Sequence, residues 1–186
     1  MDAIELLMQQ HREAEDLFER FEQADDPGQQ QEIAQQATTE LRLHTTIEEE
    51  LFYPALRAKG GELEEAVLED LEEHHVVEVM LDELESMDVS DERYAAKFKV
   101  ITELVTHHVE EEEQDQFPMV REQIDDATLD NLGEQMLRRY EELKAAAQAS
   151  HVTKEDLYQQ AKELGIERRS QMSKRQLAEA VRSADG

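Results

Sequence analysis

The sequence contains no Cys and no Trp, and aromatic residues make up only 5% of its 186 residues. Without Cys, disulfide bonds and thiol chemistry are excluded, so a metal site here would use His and carboxylate ligands. The chain has only 6 Gly and 3 Pro, and this scarcity of turn formers favours an all-helical fold. It has no run of about 18 apolar residues, and residues 1–7 are acidic. We therefore expect a soluble, cytoplasmic protein without a membrane partner.

Negative charge dominates the chain and is unevenly spread. The formal net charge is −28, and residues 1–150 carry 12 Lys+Arg against 41 Asp+Glu, whereas residues 151–186 carry 7 against 6. An acidic surface of this strength repels nucleic acid and anionic membranes, so residues 1–150 are not expected to bind either. Two interpretations stay open: a solvated acidic surface, or a field that draws cations toward a metal site.

Apolar residues recur at helical spacing in four successive segments. These cover about residues 2–24, 30–58, 62–86 and 92–116. Pro54 is expected to kink the second segment near its end, and Pro118 is expected to end the fourth. Short connections between long amphipathic helices predict an antiparallel four-helix bundle with up-down-up-down topology.

The first two segments repeat as the next two. His11 matches His74 at an offset of 63 residues, and His44 matches His108 at an offset of 64. His11 and His44 each lie about 20 Å from the turn that joins their helices, at 1.5 Å per residue. The bundle is therefore predicted to be a duplicated helical hairpin with all four His at one level.

Two of these His begin matching His-x-x-x-Glu pairs, His44 with Glu48 and His108 with Glu112, and each is followed ten residues later by Pro. Residues four apart lie about 40° apart around a helix, so each pair places an imidazole and a carboxylate side by side. One such pair arises easily by chance in an acidic chain. Two copies at the same distance from Pro indicate a built site.

Six side chains are therefore predicted to meet inside the bundle and to bind metal. They are His11, His44, Glu48, His74, His108 and Glu112. The alternative is a buried charge network without a cation, which is unfavourable because a buried unpaired carboxylate costs several kcal/mol. Six protein ligands suit two ions better than one, with both Glu bridging. Nitrogen and oxygen ligands with open positions favour iron or manganese, and zinc would bind too.

Several neighbouring residues are weaker candidates. Glu15 and Glu78 follow His11 and His74 by four residues and are expected in an outer layer or on the surface. His107 is expected in the core as a spare ligand. Tyr53 is expected mainly to pack, with a hydrogen bond to a bound oxygen species as the alternative.

The pattern resembles the hemerythrin-like HHE cation-binding family over about residues 2–120. The matching residues are His11, His44, Glu48, Glu49, Leu51–Pro54, Glu73, His74, His108, Glu112, Glu113, Phe117 and Pro118. The resemblance implies a four-helix bundle holding two iron ions in a non-haem centre with an oxo or hydroxo bridge. Such centres bind a small diatomic or peroxide ligand: O2, NO or H2O2.

One departure bears on function. Oxygen-carrying members have a His in the third helix where this chain has Glu78. The resemblance therefore implies a protein that binds or reduces small oxidants in oxidative or nitrosative stress response or sensing. A peroxide-decomposing or ferroxidase-type enzyme, an iron-binding or iron-sensing adaptor whose tail contacts a protein or nucleic acid, and a simple O2 carrier stay open as alternatives.

The sequence predicts three parts: a bundle over 1–122, a packing helix over 123–150 and a small helix-loop-helix tail over 151–186. The tail begins with a capping pattern, Thr153 followed by Asp156. It resembles the small N-terminal domain of the transcription terminator Rho, except that Arg168 stands where that family usually has Gly. The resemblance implies contact with an unknown macromolecule, either protein or nucleic acid.

Overall fold

The structure is a computed structural model, and it describes residues 1–151, 154–166, 169, 172–173, 176–177, 180–181 and 184. In this part of the chain the regular structure is helical, with no strand. The α-helices are Ala3–Gln23 (α1), Pro27–Ile47 (α2), Tyr53–Arg57 (α3), Glu62–Glu85 (α4), Tyr94–Glu111 (α5), Phe117–Gln123 (α6), Asp126–His151 (α7) and Lys154–Glu163 (α8). The all-α prediction is confirmed.

The helix starts follow from local side-chain chemistry. Asp2 accepts a hydrogen bond from the backbone N–H of Glu5, whose side chain accepts from the N–H of Asp2, so α1 opens with a capping box. Asp26 caps α2 by accepting a hydrogen bond from the backbone N–H of Gln29, and Pro27 occupies the first turn, where its missing N–H costs nothing. The helix therefore begins at Pro27, three residues earlier than predicted.

The two helices that carry the His44/Glu48 and His108/Glu112 pairs each contain a five-residue π-helical turn. These turns are Glu48–Phe52, between α2 and α3, and Glu112–Gln116, between α5 and α6. Pro54 and Pro118 lie two residues after them. A Pro has no N–H and its ring clashes with the carbonyl four residues back, which favours a widened ladder just before it. The prediction that Pro118 ends the fourth helix is wrong, because the helix continues to Gln123.

The four long helices form a ring in which α1 packs on α2, α2 on α4, α4 on α5, and α5 on α1. This is the predicted up-down-up-down bundle. One end of its interior is a continuous apolar cluster that includes Phe18, Phe21, Leu81 and Phe98, with the rings of Phe21 and Phe98 stacked at 3.9 Å. The burial of this surface holds the helix faces in register, and the His level lies beyond it.

Helix α7, which corresponds to the predicted packing helix, packs on the bundle through its first half. Leu129 and Met136 are fully buried, and a Cβ atom on Gly133 would lie 2.6 Å from the backbone of Asp2. The hydroxyl of Tyr140 donates to Glu40 on α2 at 2.6 Å. A residue without a side chain at 133 is therefore what lets α7 approach the start of α1.

The chain divides into two compact units, residues 1–141 and 142–186. In the second unit Leu157, Ala161, Leu177 and Val181 form a small buried cluster. The predicted capping residue Thr153 and the predicted departure at Arg168 lie outside the described residues. The three-part division at 122 and 150 stays a prediction. Among the helices described, none is long and apolar enough to cross a membrane.

Candidate metal centre

Four imidazoles meet as two pairs inside the bundle. His11 on α1 and His44 on α2 have ring centroids 5.0 Å apart. His74 on α4 and His108 on α5 have centroids 4.9 Å apart, with their Nε2 atoms at 3.2 Å. All four side chains are buried. The structure thus brings the four predicted His to one level.

Two buried carboxylates link the pairs. An oxygen of Glu48 lies 3.2 Å from Nε2 of His44 and 3.5 Å from Nε2 of His74. An oxygen of Glu112 lies 3.3 Å from Nε2 of His11 and 3.7 Å from Nε2 of His108. Both Glu are the first residues of the π-helical turns. Each carboxylate therefore lies close to one imidazole of each pair.

The inward-facing atoms of this cluster fit cations. Both carboxylate oxygens of Glu48 and Glu112, and Nε2 of His11 and His44, are buried and have no hydrogen-bond partner among the described residues. Burying such groups unpaired is costly, and coordination to a cation removes that cost. The atoms fall into two overlapping groups, each within 4.8 Å: His11, His44, Glu48 and Glu112 in one, and Glu48, His74 and His108 in the other. The donor set suits borderline divalent metals.

The second ring nitrogen of each imidazole bonds to a side chain on a neighbouring helix. The pairs are His11 with Glu113 at 2.8 Å, His44 with Gln10 at 2.8 Å, His74 with Glu49 at 3.1 Å and His108 with Glu73 at 2.8 Å. Ionised carboxylates and amide oxygens only accept, so each Nδ1 carries a proton. This fixes the ring orientation and leaves Nε2 as the nitrogen that can bind a cation.

Burial and neighbouring charges shift the pKa values of the site's ionisable groups in opposite directions. Burial lowers the pKa of His44 well below its usual range and lowers the pKa of His74 to about 3. Burial also acts to lower the pKa of His108, but neighbouring carboxylates, chiefly Glu112, outweigh it and raise that pKa to about 9. Burial and the Glu112 charge together raise the pKa of Glu48 well above its usual range. Burial therefore disfavours charge on His44, His74 and Glu48, whereas the carboxylates around His108, chiefly Glu112, stabilise positive charge on that imidazole.

A sequence model of the family described as Hemerythrin HHE cation binding domain matches residues 2–120, more than half of the chain. The chain belongs to this family. It is thus a member of a cation-binding family and has clusters of His and Glu able to hold metal.

Two relatives of this chain differ from each other in length and in name. The uncharacterized protein Rv2633c of Mycobacterium tuberculosis is 27% identical over 151 residues, covering 78% of this chain and 89% of that protein. A DNA nickase of Nostoc sp. is 26% identical over 121 residues, covering 65% of this chain and 34% of that protein. The chain therefore spans about a third of the length of this second relative.

A solved structure shares the fold. The crystal structure of a hemerythrin HHE cation binding domain-containing protein from Mycobacterium kansasii, a Rv2633c homolog, matches with a TM-score of 0.69 and 28% identity, covering 79% of this chain and 90% of that one. For the tail, a model of the Rho termination factor N-terminal domain matches residues 152–185. That match is short and supports only a likeness of the tail.

In this hemerythrin-family chain, Glu15 and Glu78 lie at one of the positions expected for them, the surface, whereas His107 does not lie where expected. Glu15 and Glu78 are exposed and pair with Arg12 and Arg42 on the surface. The expectation that His107 lies in the core is wrong, because its side chain is 62% exposed and faces Glu111. His107 is one residue from a buried His, and one residue turns a helix by about 100°.

The residues that hold the imidazoles from outside were not assigned this role from the sequence. Gln10 and Glu73 directly precede matched His residues, and Glu49 and Glu113 directly follow the Glu of each His-x-x-x-Glu pair. Their signal was the repeat itself, which places them at equivalent positions in the two hairpins.

Tyr53 also has a polar role that packing alone does not describe. Its side chain is 1% exposed, and its hydroxyl lies 3.2 Å from Nε2 of His74. Burial raises the pKa of this phenol well above its usual range, so the hydroxyl keeps its proton. Tyr53 therefore presents a hydrogen-bond donor at the centre of the site.

A small cavity of about 40 Å³ lies beside the imidazoles. Its surface is mostly apolar, and its lining includes five aliphatic side chains beside the four His: Ala14, Leu41, Val77, Val105 and Val109. A water molecule occupies roughly 10–15 Å³ on the same measure. The space therefore suits a diatomic or a similarly small molecule.

Proposed function

We propose that this protein is a non-haem di-iron protein that binds or reduces small oxidants, O2, NO or H2O2, in stress response or sensing. The observation that supports it is the pairing within the site. Two buried carboxylates each touch one imidazole of either pair, and their inward atoms have no other hydrogen-bond partner among the described residues. The ligand set would be His11, His44, Glu48, His74, His108 and Glu112.

When bound, iron would supply reversible ligand binding and one-electron redox chemistry. The protein's own residues define where that chemistry takes place. The outward hydrogen bonds fix the imidazoles so that Nε2 faces the centre. The small cavity beside the imidazoles limits the ligand by size, and its surface is mostly apolar. The hydroxyl of Tyr53 can donate to an oxygen atom held beside His74.

The first test is an anaerobic Fe(II) titration of metal-free protein, followed by admission of air, with the visible spectrum recorded throughout. Saturation at about two irons per chain and a new visible band in air are expected if six ligands hold two ions. A band that disappears when oxygen is removed would favour a carrier or sensor. Irreversible oxidation with repeated turnover of peroxide would favour an enzyme, and no iron uptake would refute the proposal.

A matched pair of variants tests the ligand set. His44→Ala should lower the iron content to about one per chain or less, because it removes a ligand imidazole whose Nε2 faces the centre. His107→Ala is the control. It removes the His next to His108 in sequence, which also begins a His-x-x-x-Glu pair but is exposed. It should leave the iron content at about two, as measured by metal analysis. Iron that survives His44→Ala would show the ligand set to be wrong.

A second candidate is an iron-sensing adaptor whose tail contacts a protein or nucleic acid. It is favoured by the match of residues 152–185 to the Rho N-terminal domain. The test is binding of the full chain, metal-free and iron-loaded, to a labelled single-stranded oligonucleotide measured by fluorescence anisotropy. Binding that depends on iron would support a sensing adaptor. Equal absence of binding in both states would remove nucleic acid as the partner.

A further inference from the structure

The twofold repeat of the hairpins extends to the hydrogen bonds that hold the imidazoles. Glu49 follows Glu48 and accepts from His74, and Glu113 follows Glu112 and accepts from His11. In each case a helix that supplies a bridging carboxylate also anchors an imidazole of the other hairpin. These two anchors are chemically identical.

The repeat is broken at the other two anchors. Glu73 directly precedes His74 and accepts from Nδ1 of His108 at 2.8 Å. The equivalent position before His11 is Gln10, and its amide oxygen accepts from Nδ1 of His44 at the same 2.8 Å. The geometry is thus conserved between the hairpins while the charge differs: the carboxylate of one half is replaced by a neutral amide in the other.

A second difference between the hairpins also concerns the His11–His44 pair. Arg12 donates to Glu113, so the carboxylate that anchors His11 shares its charge with a guanidinium. The position equivalent to Arg12 in the second hairpin is His75, which is exposed. The groups that accept from Nδ1 therefore carry less negative charge in the His11–His44 pair than in the His74–His108 pair.

The charge of the group that accepts from Nδ1 changes how well an imidazole binds metal through Nε2. A carboxylate that accepts from Nδ1–H pushes electron density into the ring and makes Nε2 a stronger donor. A neutral amide fixes the ring equally well but polarises it less, because its oxygen carries only a partial charge. Removal of such an outer partner typically changes metal affinity by about 10–100-fold.

We propose that Gln10 makes the two ion positions unequal, so that the position of His74 and His108 fills first and the position of His11 and His44 is the exchangeable one. The inference rests on the proposed two-metal function. Gln10 is a positioning residue in this scheme, since it acts on the ion through His44. The consequence is a protein that holds one ion firmly and gains or loses the second as the iron supply changes.

The test is an anaerobic Fe(II) titration of the full chain against a competing chromophoric chelator, which yields both stepwise dissociation constants. The native protein should show two steps separated by about 10–100-fold. Gln10→Glu keeps the acceptor and restores the charge, so the weak step should tighten and the two constants should approach each other. Glu73→Gln makes the opposite change, so the tight step should weaken by about 10–100-fold.

The double variant, Gln10→Glu with Glu73→Gln, exchanges the two anchors and should recover two separated steps. In the native protein His108→Ala should remove the tight step, whereas in the double variant it should remove the weak one. Two irons that bind with equal constants, unchanged in Gln10→Glu and Glu73→Gln, would overturn the inference and leave the two-metal function standing. Failure to bind two irons would instead overturn the proposed function.

Discussion

At the scale of single residues, the site depends on which nitrogen of each imidazole faces inward. Nδ1 of His44 is held by Gln10 and Nδ1 of His108 by Glu73, so the Nε2 atoms converge on the two carboxylates. The same logic explains why His107 contributes nothing to the centre although it heads a His-x-x-x-Glu pair. Residue type and spacing indicate candidate metal ligands, and the direction of each side chain determines which candidates face the centre.

The cavity should control ligand size at one residue. Ala14→Val adds two methyl groups to a space of about 40 Å³. Azide affinity of the iron-loaded protein should fall about tenfold, which corresponds to roughly 1.4 kcal/mol, while iron stays at about two per chain. Azide binding would be followed by spectrophotometric titration.

Ala37→Val is the control for this substitution. It makes the same change at a buried position outside the cavity lining given above. Both variants should lose stability from overpacking, by about 1–3 kcal/mol, but only Ala14→Val should weaken azide binding. Equal azide affinity in the two variants would show that the cavity is not the ligand's binding space.

At the scale of elements, the π-helical turns decide which way the residues after Glu48 and Glu112 face. Glu48 and Glu112 each begin such a turn, and each turn is followed by Pro. A regular α-helix gains about 100° of rotation per residue, and a π-helical turn accommodates one extra residue. The residues after the turn therefore face differently from a helix extrapolated through the Pro, and this places Tyr53 at the site.

The start of α1 carries a pH-dependent contribution to stability. Burial acts to raise the pKa of Asp2, but hydrogen bonds from the Glu5 N–H and Arg121 outweigh it and lower that pKa below its usual value of 3.8. The stabilisation is therefore fully present above pH 3.8 and is lost as pH falls through the lower, folded pKa. Asp2→Ala should lower the free energy of unfolding by about 1 kcal/mol at pH 7.

That difference should shrink as the pH is lowered below 3.8, and chemical denaturation at several pH values measures it. Asp16→Ala is the control, since Asp16 lies on the same helix but is exposed. It should change stability by less than about 0.5 kcal/mol. A penalty for Asp2→Ala that stays constant down to pH 2 would contradict the capping role.

The packing of α7 on the start of α1 gives a prediction with an unusual sign. Gly→Ala in a helix normally stabilises by about 1 kcal/mol. A Cβ at Gly133 would lie 2.6–2.7 Å from backbone atoms of residues 1–3, so Gly133→Ala should instead destabilise by about 1–3 kcal/mol. Thermal unfolding measures it, with Asn131→Ala on the exposed face of the same helix as the control. Stabilisation by Gly133→Ala would show that α7 does not lie this close.

At the scale of the whole molecule, metal and stability are linked. The chain carries a net charge of −28 and buries two carboxylates at its centre, so cations bound there relieve repulsion in the folded state alone. A ligand at 1,000 times its dissociation constant stabilises by about 4 kcal/mol. Treatment with a chelator should lower the midpoint of thermal unfolding, and anaerobic Fe(II) should restore it.

The same experiment on His44→Ala provides the comparison. The variant should gain less from Fe(II) than the native chain, because one ion position has lost a ligand. Equal midpoints for chelator-treated and iron-loaded native protein would show that metal does not bind the folded state preferentially. Differential scanning calorimetry follows both transitions.

The sequence by itself determined the duplicated hairpin, the all-helical class and the six residues that meet at one level. It could do so because helical periodicity and the 63- and 64-residue offsets report which face and which height a residue occupies. Only the tertiary structure decided the continuation past Pro118, the outward position of His107, the contact of the Tyr53 hydroxyl with His74 and the hydrogen bonds of Gln10 and Glu73 to the imidazoles. These depend on rotations of single residues and on contacts between helices far apart in sequence, which periodicity does not encode.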